Sequence, residues 1–278
     1  LRTDSSDSSA EQPREPSAIN PAIVSPLIES LFPAGVAAAE LRVAGDPRRL
    51  EPEEAAAVAR AVAKRREEFA AGRLCARRAL ERFGIARVVL PAAHDRQPLW
   101  PPGFLGSITH TEGFCAAVAA ASGALQGACP NHDPRREGRP QQAHHDSDRF
   151  LGLGLDSEAA GAVEAHLWPS VCVASELDWM ARWPAESRSR AATLVFAAKE
   201  AFYKAQYPTT GEFLSFADLE VAACAPQALE GPLICAPTRA LAVFAGDPER
   251  APEVRARYRF HEGFVSAGVA LCRARAAQ

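Results

Sequence analysis

Residues 196–204 read Phe-Ala-Ala-Lys-Glu-Ala-Phe-Tyr-Lys, and Phe69-Ala-Ala-Gly-Arg73 opens the same way earlier in the chain. A second pair repeats in the same fashion: Thr111-Glu-Gly-Phe114 and His261-Glu-Gly-Phe264, each ahead of a run of small apolar residues. Both halves therefore place a helix-forming stretch before a Glu-Gly turn and a strand-like run. Alanine-rich chains also generate short matches by accident, so internal repetition leaves duplication and coincidence both open. If an α+β unit is duplicated, the cleft between its copies is the natural ligand site.

Working outward, Glu51 to Phe83 reads as the clearest helical region. It opens on Pro52 with Glu53 and Glu54 in its first turn and ends near Gly84. Gly72 either interrupts this helix or admits a close neighbour. Strands are expected within Val36–Val43 and at Arg87–Leu90, Gly106–Thr109, Phe114–Ala120 and Leu151–Leu155, the last carrying Asp156 and Glu158 at its end. A helix is expected around 186–206, with strands at Leu219–Val221 and within Arg255–Cys272. Residues 1–20 are polar and Ser/Pro-rich, a disordered tail. Residues 122–149 hold almost no large apolar side chain and read as a flexible insertion. An N-terminal half at 21–121 and a C-terminal half at 150–278 remain.

The 278 residues are 47% hydrophobic and 23% charged, the composition of a folded globular chain. A net charge of −3 argues against a protein that coats nucleic acid by charge. No apolar run approaches the roughly 18–20 residues that a membrane-spanning helix needs, and the N-terminus lacks the apolar core of a signal peptide. A first residue other than Met suggests a trimmed or unusually initiated chain. The seven cysteines are odd in number and form no CxxC. That pattern points away from a disulfide framework or zinc site and toward a reducing cytoplasm.

Lysine is scarce. Only Lys64, Lys199 and Lys204 occur among 31 basic residues. Lysine carries a compact ammonium that can lose its proton, which arginine cannot imitate, so a need for lysine competes with chance survival as the explanation. Asp156 and Glu158 point to one side of a strand, where two like charges suit a cation such as Mg²⁺ or, more plainly, a solvated strand end. Glu200 and Lys204 share a helix face, as a surface ion pair or as a base and a phosphate-neutralising cation. Arg66 and Arg73 lie two helical turns apart, both able to grip an anion. Gly106-Ser-Ile-Thr-His110 sets a hydroxyl and an imidazole beside a glycine, a phosphate contact or a structural histidine.

The order of these motifs resembles the Sfp-type 4'-phosphopantetheinyl transferases. The resemblance rests on Arg66-x-x-Phe69-x-x-Gly72-Arg73, on Pro98-x-Trp100-Pro101-x-Gly103-x-x-Gly106-Ser107-x-Thr109-His110 and on Gly154-Leu-Asp156-x-Glu158. It continues through Phe196-x-x-Lys199-Glu200-Ala201-x-Tyr203-Lys204 and Phe213-Leu-x-Phe216. The Trp-Pro and Gly-Ser-x-Thr-His elements are most similar to the subgroup containing enterobactin synthetase component D. The resemblance implies an α+β monomer of two pseudo-twofold-related halves with coenzyme A between them. Its activity would be transfer of the 4'-phosphopantetheine arm to a serine of an acyl or peptidyl carrier protein, releasing 3',5'-ADP. It further implies Asp156, Glu158 and Glu200 as ligands of Mg²⁺, Glu200 also as base, and Lys204 on the pyrophosphate and leaving group. Arg73, His110 and Thr109, with Arg66, Arg96 and Lys199, would serve the CoA phosphates and nucleotide.

Three departures stand out. Ser157 replaces a branched apolar residue and should face away from the metal. Gln97 stands where a basic residue often precedes Pro98, leaving Arg96 beside it, and the 122–149 insertion replaces a short connection. A catalytically silent CoA- or carrier-binding module of the same fold is the competing reading, and a Mg²⁺-dependent phosphohydrolase a weaker one. Every metal-site carboxylate and the motif lysine are present.

Overall fold

The computed structural model describes residues 23–122, 150–223, 228–245 and 251–273. The expected tail at 1–20 and, past Ser122, the expected insertion lie outside the described residues.

Two antiparallel sheets form the centre. The first orders its strands β1 (Ile23–Val24), β2 (Ala37–Leu41), β4 (Phe114–Ala121) and β3 (Phe104–Thr111). The second runs β5 (Phe150–Ala159), β9 (Phe264–Cys272), β8 (Glu253–His261), β7 (Glu230–Pro237) and β6 (Leu219–Ala223). Helix α3 (Ala63–Glu81) covers the first sheet and α6 (Arg188–Thr210) the second. Shorter helices are α1 (Pro26–Glu29), α2 (Pro52–Ala57), α4 (Trp168–Val171) and α5 (Ala174–Ala181).

The duplication is real. Strands β2–β4–β3 under α3 correspond to β5–β9–β8 under α6, and both final hairpins turn on Glu-Gly with the glycine at positive φ, Gly113 at 77° and Gly263 at 85°. The equivalent Phe114 and Phe264 meet with ring centroids 5.2 Å apart, and the Arg42 guanidinium lies over both.

Strand periodicity explains the layering. Along β4, Cys115, Ala117 and Ala119 face α3, while Phe114, Ala116, Val118 and Ala120 enter a cluster shared with Leu153, Leu155 and Ala270 of the other sheet. Both β4 and β9 are therefore buried on two faces, which is why they read as unbroken runs of small apolar residues.

Two expectations are corrected. The helical region 51–83 is two helices, α2 and α3, with a break at 58–62 that no Gly or Pro marks in the sequence. Arg87–Leu90 forms no strand; its end instead supplies the Leu90 backbone to buried side chains of α2 and α3. Gly72 does not break α3, and a Cβ there would stand 2.8 Å from Ile108 Cγ2. Strand β5 runs on from Leu155 to Ala159, so Asp156 and Glu158 lie on it near its end, as expected.

Helix α6 lies directly on the β5 backbone. A Cβ on Gly152 would fall 2.1 Å from the Ala205 carbonyl oxygen, and one on Gly154 1.7 Å from that of Ala201. The obstruction is backbone, so no rotamer change can relieve it. Gly154→Ala is expected to cost at least ~2 kcal/mol of stability through overpacking, read as a lowered denaturant midpoint.

Candidate active site

The strand row Gly152, Gly154, Asp156, Glu158 occupies one face of β5, so the face that admits α6 continues directly into the acidic pair. On α6, Ala201 and Ala205 touch the glycines, and Glu200 and Lys204, each one residue earlier, turn to the edge of that contact. A cavity of about 330 Å³ opens there. Its lining includes Arg65, Phe69, Gly72 and Arg73 of α3, Arg96 and Pro98 of the following loop, and Ile108, Thr109 and His110 of β3. Asp156, Glu158, Phe196, Glu200 and Lys204 complete it from the other half.

The two halves are sutured at this wall. Ser107 and Thr109 project from β3 at alternate positions, and their hydroxyl oxygens accept from the Leu155 N–H at 3.0 Å and the Ser157 N–H at 2.9 Å. They satisfy the outer edge of β5 in place of a backbone ladder. Thr109 also donates to Asp156 Oδ1 at 3.3 Å, and it is buried. Its hydroxyl is thus committed to holding β5 and Asp156, rather than free for a phosphate. Ser157 points the other way, as expected, to Ser266 Oγ at 2.7 Å.

Carboxylates crowd the C-terminal side. Asp156 Oδ1 accepts from Lys204 Nζ at 2.6 Å, while its buried Oδ2 has no partner. Burial above all, then the neighbouring Asp156 and to a lesser degree Glu200, push Glu158 up to about 7. Glu200 is likewise raised, chiefly by burial, with Lys204 opposing and Asp156 reinforcing the shift. Among the described residues no three His, Cys, Asp or Glu side chains are gathered into a metal cage, so the expected Asp156, Glu158 and Glu200 set is not closed around a point. Its chemistry still fits a hard divalent ion: all donors are oxygens, one of them orphaned, in a buried excess of negative charge.

The N-terminal side is basic. Arg73 is buried, donates from Nε to the Leu90 carbonyl at 2.6 Å, stacks 4.1 Å over Phe69, and leaves Nη2 unpartnered. Burial lowers it to about 10, so it stays charged at neutral pH. Arg65 Nη1 stands 2.5 Å from His110 Nε2; a guanidinium can only donate, so Nε2 accepts and the ring is neutral with its proton on Nδ1. Burial first, and then Arg65, hold His110 below its usual range.

Not every candidate converges. Arg66 is exposed and outside the cavity lining, and Arg65 takes the inward place. The helical spacing Arg65, Phe69, Gly72 held the signal that would have found it. Arg96 lines the cavity from a left-handed backbone, φ 72°. Lys199 is buried outside this cavity, at the wall of a neighbouring one that Glu200 also lines, and its ammonium reaches Glu176 Oε2 at 2.7 Å and the carbonyls of Val171 and Phe216 at 2.9 and 2.7 Å. Its three protons are spent, which corrects the expectation that it contacts a cofactor.

Two larger, more apolar cavities flank this polar one. One of about 670 Å³, walled by Trp100, Phe104 and Tyr207, shares Arg96, Pro98, Ile108 and Lys204 with it; one of about 440 Å³, walled by Phe213, Leu214 and Phe216, shares Glu200.

Residues 53–120 match the family described as the 4'-phosphopantetheinyl transferase N-terminal domain, and residues 152–245 match the 4'-phosphopantetheinyl transferase superfamily. Among curated proteins, the chain is 31% identical over 195 residues to 4'-phosphopantetheinyl transferase Npt of Nocardia iowensis, covering 70% of this chain and 76% of that one. It is 39% identical over 178 residues to 4'-phosphopantetheinyl transferase Svp of Streptomyces mobaraensis, covering 62% and 61%. With enterobactin synthase component D of Salmonella typhimurium it shares 32% over 142 residues, 51% of this chain and 48% of that one.

Two outcomes follow from the geometry. Lys199→Met leaves the Glu176 carboxylate buried without its counter-charge and is expected to cost ~3–5 kcal/mol by denaturant unfolding, much of it recovered in Glu176→Gln/Lys199→Met. Glu158, held at about 7 against an ordinary 4.5, keeps a proton in the fold that the unfolded chain has already released. Its stabilising contribution is full below about pH 4.5 and is lost as pH rises through about 7. Tm measured in EDTA should fall across that window, and Glu158→Gln should flatten the fall.

Proposed function

The chain belongs to the 4'-phosphopantetheinyl transferase superfamily, and on that footing we propose that it moves the 4'-phosphopantetheine arm of coenzyme A onto a serine of an apo acyl or peptidyl carrier protein. The observation that carries this reading is the single chamber in which carboxylates of β5 and α6 face Arg65 and Arg73 of α3, Arg96 and Lys204, flanked by two apolar cavities. Such a chamber suits a long ligand whose middle is polyanionic and whose ends are not.

In the reaction, the serine oxygen forms a bond to the β-phosphorus of the CoA pyrophosphate, and the bond from that phosphorus to the bridging oxygen breaks. The bridging oxygen leaves with 3',5'-ADP. Glu200, whose carboxyl burial has made more basic, takes the serine proton directly or through a water. Lys204, half-buried and already beside Asp156, turns its ammonium to the charge that grows on the bridging oxygen. Arg73 offers an unpartnered donor to a CoA phosphate, with Arg65, Arg96 and His110 around it. Neutral His110 carries its proton on Nδ1, which stands 3.8 Å from Glu68 Oε2. Asp156, Glu158 and Glu200 would hold a divalent cation, Mg²⁺ by preference for oxygen donors, which supplies charge neutralisation at the pyrophosphate.

A single chain brings both halves to the chamber, which supports action as a monomer, and Cys75, Cys115, Cys172 and Cys235 form no disulfide, which supports a reducing cytoplasm.

Incubating an apo carrier protein with CoA, Mg²⁺ and this protein should add the mass of phosphopantetheine to the carrier. Binding of CoA without that gain would instead identify a silent module. Asp156→Ala and Glu200→Ala should each abolish transfer at unchanged fold, and Glu158→Ala should be milder, since water can replace one ligand of an octahedral ion. Lys204→Arg substitutes a wide fork for a compact ammonium held 2.6 Å from Asp156. It is expected to lower kcat at least ~10-fold, or ~1.4 kcal/mol, whereas exposed Lys64→Arg should leave kcat near wild type.

A further inference from the structure

Arg73 is aimed into the cavity by groups outside it. Its Nε donates to the carbonyl of Leu90, and the N–H of that same residue donates to Glu54 Oε1 at 2.9 Å. Glu54 lies on α2, fully buried, and is absent from the cavity lining. Its carboxylate also receives Arg77 Nη1 at 2.7 and 2.9 Å and the Glu51 N–H at 3.1 Å. Leu90 is itself buried, so its backbone is held at both polar ends, by Glu54 on one side and Arg73 on the other.

We propose that Glu54 is a positioning residue for the anion-binding end of the site: by holding the backbone of Leu90 it fixes Arg73, whose buried Nη2 has no hydrogen-bond partner, in the cavity wall that a ligand phosphate would meet. A free guanidinium this deep would otherwise bend to the nearest carbonyl or carboxylate. Glu54 is the nearby carboxylate, and Arg77 engages both of its oxygens. The Leu90 carbonyl takes Nε and leaves Nη2 without a hydrogen-bond partner. The arrangement keeps Glu54 close enough to balance the charge of Arg73 without capping it.

The inference rests on the proposed function for the identity of the anion, the 3'-phosphate of CoA, and its test separates the two. In steady-state transfer by the full chain, Glu54→Gln should raise KM for CoA ~10-fold while kcat stays within ~2-fold, the pattern of lost uniform binding. It should also shrink the preference for CoA over dephospho-CoA toward that of Arg73→Ala, and add nothing further to KM in the Arg73→Ala background. Arg77→Lys, which disturbs the buried pair without touching Leu90, should lower Tm and keep the preference.

A Glu54→Gln protein that loses Tm yet keeps the wild-type preference, or one whose KM effect persists undiminished in Arg73→Ala, overturns the proposal. If Glu54→Gln does not fold, Glu54→Asp serves the same test, retaining charge for Arg77 while withdrawing the carboxylate from the Leu90 N–H. Calorimetric binding of 3',5'-ADP reads the same ~10-fold weakening with no transfer involved. A wild-type chain that binds 3',5'-ADP in a Glu54-dependent way but never labels a carrier overturns the function alone.

Discussion

The contact of α6 with the bare backbone of β5 governs the rest of the molecule. Two glycines on one strand face let the carbonyls of Ala201 and Ala205 reach a distance that any side chain would forbid. The next two residues on that face are Asp156 and Glu158, so the depth of the helix sets how far Glu200 and Lys204 stand from them. Helix packing and site geometry are here one variable. A looser helix would leave an intact core with a dispersed set of charges.

Those charges are expensive to bury, and they are divided between the copies of the duplicated unit. The equivalent positions Arg73 on α3 and Glu200 on α6 carry opposite signs, so a symmetric scaffold presents a basic wall opposite an acidic one. Lys204 offsets part of the acidic excess by pairing with Asp156, and Thr109 ties that carboxylate to the opposite half. What remains uncompensated, the orphaned Asp156 Oδ2 and the raised Glu158 and Glu200, is the excess of negative charge on which the proposed cation site rests.

Much of this was legible in the residues. The repeated Phe-Ala-Ala and Glu-Gly elements fit a duplication that they do not by themselves distinguish from coincidence, and the D-x-E spacing places two carboxylates on one strand face. Lysine scarcity marked two residues of real consequence, but with different reasons. Lys204 turns to the cavity, whereas Lys199 is needed because a small ammonium can satisfy one carboxylate and two carbonyls in a buried socket. Spacing alone shows which helix face a side chain leaves from, not which neighbour it meets. Hence the spacing points to Arg66 where Arg65 takes the inward place, and to Thr109 as a phosphate contact where its hydroxyl belongs to a strand edge in the other half. The break between α2 and α3 was hidden for a similar reason: the carboxylate of Glu54 and the backbone of Leu90 become neighbours only after the chain has folded back.

The serine–threonine suture also bears on the order of events in folding. The outward amides of β5 find their partners 48 residues away, on hydroxyls that face them only once β3 is paired and both sheets have docked. The helices and the β3–β4 and β8–β9 hairpins can form from nearer contacts, whereas the suture needs both sheets in place, and β5 itself must first pair with β9, where Ser157 meets Ser266 109 residues on; such distant closures carry a loop-entropy cost and come late. Catalytic competence is therefore a property of the final assembly step. A nascent chain would hold most of its secondary structure, and even both walls of its chamber, for some time before it held an enzyme.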